Sequence, residues 1–459
     1  MGTIALIIAG ALWGVVPHAG HALTLREAIA EALKASPALQ PARDAIEMAA
    51  IQERLERSHF GVQVAPSLQL GTLQSGLRQQ HGAMAITRRL PSGTELMVSA
   101  DWLRYGEGAG TQRDAGLTAA VSQSLLQAFG PALREGVTSA RRASDRAARA
   151  HADARQQLVL RTAGAYFSIV RQELLVDAAS QSAARAARLR QASDARARVG
   201  LATQLDVMRA ELLAAQSEAA LGSAREALEQ ARDELKILLG RPLDSPVAVA
   251  IAEISDTAGA PVDLDALQAS AVERRIDVQD ARERVHDAAR GEAVARWASL
   301  PDVRFTASYT RRGLAGGPDI FNAWLGGWRA GVSTSYGLQR AAASAASAAA
   351  SVSMRAAERE VFDREQAAAA GVRAAHRAVT RAAAAIDIQR KAVDVAERQA
   401  RLASLRYERG LADNVDVIDA EMNVTLTRAA FIGARVDLAL ARLALQRAAG
   451  VLDPDEYLK

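Results

Sequence analysis

The chain repeats part of itself, and this repeat constrains the fold more than any other feature of the sequence. Residues 200–211, GLATQLDVMRAE, recur 210 positions later at residues 410–421 as GLADNVDVIDAE, and the same register continues to the ends of both copies. A weaker similarity relates residues 25–66 to residues 264–301. Self-similarity at a fixed offset indicates two copies of one structural unit.

The repeat divides the chain into two halves and a connection. We predict a first structural repeat over residues 23–240, a linker over 241–262 and a second structural repeat over 263–459. The linker contains three prolines, which cannot donate the hydrogen bonds of a helix interior, so it is predicted to be non-helical.

Each half contains a long segment typical of a helix. Ala, Arg, Leu, Gln and Glu predominate from about residue 135 to 199 and from about 341 to 409, and neither segment contains proline. At about 1.5 Å per residue such helices reach roughly 100 Å, so they have to pack side by side in a coiled-coil-like layer. Gly200 and Gly410 end these helices and a further helix follows each, which predicts one antiparallel hairpin per half, with tips near 200 and 410.

The other end of each half changes to a period of two. Apolar residues alternate with polar ones around residues 96–102, 303–309 and 328–336, so strands are predicted within about 62–125 and about 301–338. Eleven of the eighteen aromatic residues fall in or beside these regions, which favours an aromatic girdle on a lipid-facing sheet. The predicted girdle residues are Trp102, Tyr105, Phe305, Tyr309, Trp324, Trp328 and Tyr336.

The strands leave two interpretations open. The sheet could face lipid, or it could be an ordinary half-buried sheet whose aromatics face helices. About four to six strands cannot close a membrane barrel, which needs about eight, so a barrel would require several copies of the chain. Residues 87–104 form an additional predicted hairpin, which would be either an extracellular loop or extra barrel strands.

The N-terminus and the cysteine content indicate the compartment. Residues 1–22 combine an apolar run with small residues, which predicts a secretory signal peptide. The chain has no cysteine and therefore forms no disulfide and carries no lipid-modified cysteine. After the signal no apolar stretch reaches the roughly 20 residues of a membrane-spanning helix, so a membrane crossing would have to use strands.

Several functional classes are disfavoured. The 56 basic residues are interleaved with 52 acidic ones and form no basic block, which argues against nucleic-acid binding. No phosphate-binding loop, zinc motif or nucleophile motif occurs, so we expect neither an enzyme nor a cofactor or metal.

Together these features resemble the TolC family of outer-membrane efflux proteins. The resemblance rests on residues 23–33, LTLREAIAEAL, on residues 122–126, SQSLL, leading into Gly130, and on the two Gly-Leu-Ala repeats. It implies a mainly α-helical chain with membrane β-strands, in which each protomer of a homotrimer gives strands to one shared β-barrel and long helices to one shared periplasmic tunnel. The implied location is the outer membrane, with a large periplasmic extension.

The resemblance also implies a function and partners. The function is the outer-membrane channel of a tripartite efflux or type I secretion system, a passive duct gated at its periplasmic mouth. Its partners would be a periplasmic adaptor protein, an inner-membrane pump of the RND, ABC or MFS type reached through that adaptor, and outer-membrane lipid. The rival interpretation is a periplasmic coiled-coil structural or adaptor protein without a membrane barrel, which would leave the aromatic strands unexplained.

Roles near the second hairpin tip follow from the same resemblance. Asp416 and Asp419 match acidic positions that narrow the periplasmic mouth, and threefold symmetry would make them two rings of carboxylates. Tyr407 matches a tyrosine that bonds between the hairpins, with Asp206 as its acidic partner, and this pair is expected to latch the closed state. The family's arginine in this latch falls at Ala412. The alternative for Asp206 and Asp416 is an ordinary carboxylate at a helix N-terminus.

The hairpin tips are expected to meet the adaptor protein, with simple turns as the alternative. The tip residues are Gly200, Leu201, Ala202, Gly410, Leu411 and Ala412. Residues 336–341, YGLQRA, depart from the Pro-Leu-Phe-like step that the family commonly shows after its last strand. The geometry of that strand-to-helix junction is therefore not implied by the resemblance.

Overall fold

Each half of the chain folds into two helices, a set of strands and two longer helices, with four described strands in the first half and two in the second. A computed structural model describes residues 22–72, 78–106, 112–126, 130–250, 263–315, 324–335 and 341–458. Nearly all of the predicted signal peptide, most of the predicted linker, Tyr336 and the strand-to-helix junction after it lie outside these residues.

Long helices make up most of the described chain. The first half contains α1 (Leu25–Ala35), α2 (Gln40–Ser58), α3 (Ala132–Arg198) and α4 (Gln204–Leu239). The second half contains α5 (Leu264–Arg274), α6 (Ile276–Ala298), α7 (Ala341–Glu408) and α8 (Asn414–Ala448). With 67 and 68 residues, α3 and α7 are each about 100 Å long. Among the described helices, none is both long and apolar enough to cross a membrane.

Local capping explains where these helices begin and end. Thr24 forms a capping box with Glu27 at the start of α1, and Thr203 forms one with Asp206 at the start of α4. Gly200 and Gly410 have φ values of +76° and +74°, which glycine adopts without the steric cost that a side chain would add. The chain therefore reverses at these two glycines, and α3 pairs with α4 as α7 pairs with α8.

Six antiparallel strands form one sheet in sequence order. They are β1 (Val62–Thr72), β2 (Arg78–Arg89), β3 (Thr94–Tyr105), β4 (Gln112–Ser124), β5 (Asp302–Ala315) and β6 (Trp324–Ser335). The helices join the sheet at one end, here called the proximal end, where β1 and β5 begin and β4 and β6 end. The tight turn at residues 90–93 between β2 and β3 lies at this same end, so the additional hairpin belongs to the sheet. The predicted combination of long helices and strands in a tandem-repeat chain is confirmed.

The register separates the side chains of the sheet into two faces, because directly paired residues point the same way. One face, called the apolar face, carries exposed large apolar side chains on all six strands. Its members include Val62, Val64, Leu68, Leu70, Met84, Ile86, Leu96, Val98, Trp102, Leu117, Phe305, Tyr309, Trp328 and Val332. The opposite polar face carries the hydrogen bond between Thr118 and Thr310 and the ion pairs of Arg312.

The main core lies midway along the molecule, where α1 packs on α3 and α4. The Tyr166 hydroxyl is within hydrogen-bonding distance of the Leu23 and Ala250 carbonyl oxygens, at 3.1 and 2.8 Å. The Arg241 guanidinium donates two hydrogen bonds to the Glu31 carboxylate. These contacts attach the N-terminal segment and the start of the linker to the long helices.

Candidate functional site

The ends of the four long helices around Gly200 and Gly410 pack into one unit. We call residues 193–210 and 403–421 the tip region. Small and medium apolar side chains from all four helices form its core, because alanine lets helix backbones approach closely. This cluster continues from the tip region into the adjoining turns of the helices and consists of Ala186, Leu189, Ala210, Leu213, Ala396, Ala400, Ala403, Tyr407, Val417, Ala420 and Val424.

Tyr407 connects the two hairpins at the centre of this cluster. The side chain is 6% exposed, and its hydroxyl lies 2.9 Å from the hydroxyl of Ser193, which is fully buried on α3. The Arg196 guanidinium lies over the Tyr407 ring, 4.6 Å from the centroid, and donates a hydrogen bond to the Tyr407 carbonyl oxygen. Such a cation–π contact contributes on the order of 1 kcal/mol. One turn of α3 therefore holds the last turn of α7.

Asp206 makes mainly local contacts. Its carboxylate accepts hydrogen bonds from the backbone N–H and the hydroxyl of Thr203, at 3.0 and 2.7 Å. These bonds, the hydroxyl first, together with the nearby Arg209, hold the pKa of Asp206 below its usual value. The contact that Asp206 makes across the hairpins comes from its backbone: the fully buried Asn414 donates its side-chain N–H to the Asp206 carbonyl oxygen at 2.6 Å.

The predicted hydrogen bond between Tyr407 and Asp206 is not formed in this structure. The Tyr407 hydroxyl meets Ser193, and the Asp206 carboxylate is engaged by its own helix cap. Arg196 on the first hairpin provides the cation over the tyrosine, whereas the arginine that the resemblance implies falls at Ala412. The Tyr407–Asp206 bond is absent because the Thr-x-x-Asp capping box already engages the Asp206 carboxylate in hydrogen bonds within its own helix terminus.

Ser193, Arg196 and Asn414 are contacts that the sequence-based reasoning missed. The repeat offers a partial signal for one of them, because Asn414 of the second copy replaces Gln204 of the first. Ser193 and Arg196 lie in a background rich in Ala, Ser and Arg, so nothing in their composition distinguishes them.

Asp416 and Asp419 lie on the side of α8 that faces away from this cluster. Both side chains are exposed, while Val417 and Ala420 between and beside them are buried. Within the described residues neither carboxylate has a hydrogen bond or an ion pair. Their three-residue spacing places them on the same helix face, where both are available to a neighbouring molecule or to ions.

The two turns themselves project from the molecule. Leu201 and Leu411 are 71% and 72% exposed, and each follows a glycine with positive φ. Ala202 and Ala412 are half-buried beneath them. An apolar side chain held open at the same place on both hairpins is a feature that a protein partner can bury.

Five of the seven predicted girdle residues lie at apolar-face positions of the sheet: Trp102, Phe305, Tyr309, Trp324 and Trp328. Tyr105 does not, because its pairing with Gln79 and Gln112 places it at a polar-face position, one residue out of step with Trp102. Trp102 covers Gly82 so closely that an added Cβ there would come within 2.3 Å of the indole Nε1, and Tyr309 covers Gly326 in the same way. Trp328 is 80% exposed. Phe305 lies nearer the proximal end of the same face.

The side chains of three of the seven predicted girdle residues lie outside the described part of the structure. Tyr105 and Trp324 belong to β3 and β6, but the structure describes only their backbones, and Tyr336 lies outside the described residues.

Comparison of the sequence with known proteins identifies one protein family and one curated relative. A family model described as "Outer membrane efflux protein" matches residues 28–241 and 267–451. The fusaric acid resistance protein FusA of Burkholderia cepacia is 32% identical over 194 residues, which make up 41% of this chain and 36% of FusA. The chain therefore spans only about a third of the length of that relative.

Solved structures share the fold over almost the whole chain. CusC, whose structures concern folding and transmembrane channel formation, has a TM-score of 0.72 at 16% identity, covering 93% of this chain and 92% of CusC. The outer membrane protein VceC of Vibrio cholerae has a TM-score of 0.70 at 20% identity, covering 93% of this chain and 96% of VceC.

Proposed function

The chain belongs to the outer membrane efflux protein family, and on this premise we propose that it forms a passive trimeric channel from the periplasm to the exterior, gated at its periplasmic end. The channel serves a tripartite efflux or type I secretion system. Its helices extend into the periplasm and its strands cross the outer membrane.

The observation that carries this proposal is the exposed apolar face of the six-stranded sheet. A soluble protein rarely exposes a continuous apolar surface of this extent, whereas a lipid-facing sheet requires one. The sheet is also open, since β1 and β6 are edge strands whose outer backbone groups face no other strand of the described chain. In lipid these groups have to be paired, and strands from neighbouring copies can pair them.

Three copies of a six-stranded sheet would give a barrel of eighteen strands. This number is even and lies in the range of outer-membrane barrels, and barrels of about 16 to 18 strands leave an aqueous lumen. The polar face, with its paired Arg312, Asp101 and Asp114, would line that lumen. The β2–β3 hairpin thus contributes two barrel strands per protomer.

Gating is assigned to the tip region. Asp416 and Asp419 of three copies would form two carboxylate rings at the mouth, which attract cations and repel one another. At about 6 Å two such charges repel by about 0.7 kcal/mol in water and by several-fold more where water is excluded. Contacts of Tyr407 and Asn414 to the first hairpin would oppose this repulsion and hold the mouth narrow.

The projecting turns are assigned to an adaptor. Leu201 and Leu411 would insert into apolar sites on the hairpins of a periplasmic adaptor protein. The adaptor would connect the channel to an inner-membrane pump of the RND, ABC or MFS type, which supplies the energy. The relative in Burkholderia cepacia is named for fusaric acid resistance, so fusaric acid is the first compound to test as cargo.

Single-channel conductance of the purified trimer in a planar bilayer tests the channel. We expect discrete conductance steps. Val98→Arg, in the middle of the apolar face, should reduce the yield of membrane-inserted trimer, because a basic residue on the lipid face costs about 2 to 4 kcal/mol near the midplane. The matched change Ser99→Arg, one residue along on the polar face and opposite Ala85 and Thr118, should be tolerated. Equal tolerance of both variants, or a folded trimer without conductance, would favour the periplasmic coiled-coil interpretation.

The acidic mouth is tested in the same bilayer. A trivalent cation added from the periplasmic side should block the native channel, and Asp416→Ala/Asp419→Ala should abolish the block. Asp437→Ala is the matched control, because Asp437 is an exposed carboxylate on the same helix about 27 Å or more from the mouth. Block that persists in the double variant would assign the cation site elsewhere.

A further inference from the structure

Basic residues occupy the distal end of the apolar face, opposite the end that joins the helices. Arg78, Arg104 and Arg113 lie near the distal ends of β2, β3 and β4 in the register positions of that face, and all three are exposed. Every Asp and Glu of the described strands lies on the polar face instead. The apolar face therefore ends distally in a zone of one charge sign.

Two of these arginines are directly opposite each other. Arg104 pairs in register with Arg113, so their Cβ atoms lie about 5 Å apart. Arg78 is the diagonal neighbour of Arg104, about 7 to 8 Å away. A like-charged cross-strand pair destabilises a sheet unless an anion lies between the two side chains.

Nothing in the described part of the chain supplies that anion. The guanidinium groups of Arg104 and Arg113 make no ion pair or hydrogen bond with the described residues. Arg312 lies three residues after Tyr309 and therefore on the polar face, where Asp101 and Asp114 bind it at 3.4 and 3.1 Å. The charge of Arg312 is thus compensated on the polar face, whereas the described residues provide no ion pair for Arg104 and Arg113 on the apolar face.

The position of the arginines along the strands corresponds to a bilayer boundary. Arg88 is the basic residue of the same face at the proximal end, ten residues from Arg78 on β2. Ten residues span about 34 Å of strand, or about 25 Å of height at the usual barrel tilt, which is the height of a lipid-facing apolar band. Trp102, two residues before Arg104 on the same face, lies where interfacial aromatics occur.

We propose that Arg104 and Arg113, flanked by Arg78, form a binding site for the phosphate groups of the glycolipid in the outer leaflet. Two guanidinium groups on adjacent strands can each bind phosphate oxygens in a bidentate manner, while Trp102 contacts the adjoining acyl region. The inference rests on the proposed function, because that function places the distal end of the sheet in the outer leaflet.

The test uses the delipidated full-length trimer and native mass spectrometry. The protein is titrated with diphosphorylated lipid A and with the same lipid after removal of both phosphates. The native protein should bind the phosphorylated lipid at least about tenfold more tightly. Arg104→Ala/Arg113→Ala should lose this preference, whereas the control Arg88→Ala, which removes an exposed arginine of the same face from the proximal end, should keep it.

Further arms separate the possible outcomes. Arg104→Lys/Arg113→Lys keeps the charges and should retain part of the preference, even if the alanine variant does not assemble. Equal binding of both lipids by the native trimer, an equal loss in Arg88→Ala, or displacement of the lipid by millimolar inorganic phosphate would overturn the inference. Conductance of the same samples is read in parallel: a conducting trimer without lipid preference refutes only the lipid site, whereas a native trimer that does not conduct refutes the proposed function.

Discussion

Replacing Ser193 by alanine removes the only hydroxyl that meets Tyr407 in the tip region. Both groups are buried, with Ser193 fully inaccessible and Tyr407 6% exposed, so water cannot replace the lost partner without an opening of the helices. An unsatisfied buried hydroxyl costs about 1 to 2 kcal/mol, which corresponds to about a 5- to 30-fold increase in the local opening equilibrium.

Removing the other hydroxyl of the pair, in Tyr407→Phe, should destabilise the closed tip region less than Ser193→Ala does. In Tyr407→Phe the Ser193 hydroxyl can turn to the carbonyl oxygen one helical turn earlier, as serine commonly does, so we expect about 1 kcal/mol or less. The double variant leaves neither hydroxyl and should therefore be more stable than Ser193→Ala alone. Tyr407→Phe is thus expected to rescue Ser193→Ala.

Hydrogen exchange of the full-length trimer, followed by mass spectrometry on peptides from residues 403–421, measures this opening directly. Peptides from the middle of α7 serve as the internal control, since they are far from the contact. Exchange that is unchanged in Ser193→Ala, or single effects that simply add in the double variant, would show that the Ser193–Tyr407 contact does not hold the tip region together.

Three further predictions concern single sites. Gly410→Ala should destabilise the second turn by about 1 to 2 kcal/mol because φ is +74°, whereas Gly433→Ala, in a helix with no atom within 4 Å of the new Cβ, should be neutral or stabilising in the same thermal assay of the trimer. The pKa of Asp206 is lowered in the folded state, so its contribution is present at neutral pH and is lost as the pH falls below about 4; Asp206→Asn should flatten the thermal stability between pH 6 and 3. Arg241→Lys should not replace the bidentate pair with Glu31 and should cost about 1 kcal/mol, measured by exchange of α1.

Local rules made much of the architecture predictable from the sequence. The reversals at Gly200 and Gly410 follow from glycine after a long proline-free segment, and the period of two around residues 303–309 identified strands and their apolar face. The capping role of Asp206 was also accessible, since Thr-x-x-Asp before an apolar run is a recognised helix start.

The side-chain contacts between the two hairpins could not be predicted from local sequence patterns. Whether Tyr407 meets Asp206 or Ser193 depends on the rotation of two roughly 100 Å helices about their axes, and no local pattern specifies that rotation. A shift of one position along α3 turns a side chain by about 100°, so alanine-rich helices offer many partners of similar composition. The roles of Asp416 and Asp419 at a mouth, and of the turns in binding an adaptor, stay predictions because they depend on further copies or partners.

The two turns differ in a way that bears on which hairpin moves during gating. Thr203 caps the N-terminus of α4 through a capping box with Asp206. Asp413, the equivalent residue before α8, makes no side-chain capping hydrogen bond. The start of α8 is instead held through Asn414, whose amide reaches the first hairpin and whose Oδ1 is buried without a hydrogen-bond partner in the described chain. A buried oxygen without a hydrogen-bond partner costs about 1 to 3 kcal/mol. When α8 moves away and Asn414 becomes exposed to water, its Oδ1 can be hydrated, which offsets part of the free energy lost with the hydrogen bond to Asp206. The second hairpin therefore has the smaller barrier to leaving its place, and since it also carries Asp416 and Asp419, we expect opening to move α7 and α8 while α3 and α4 keep their conformation.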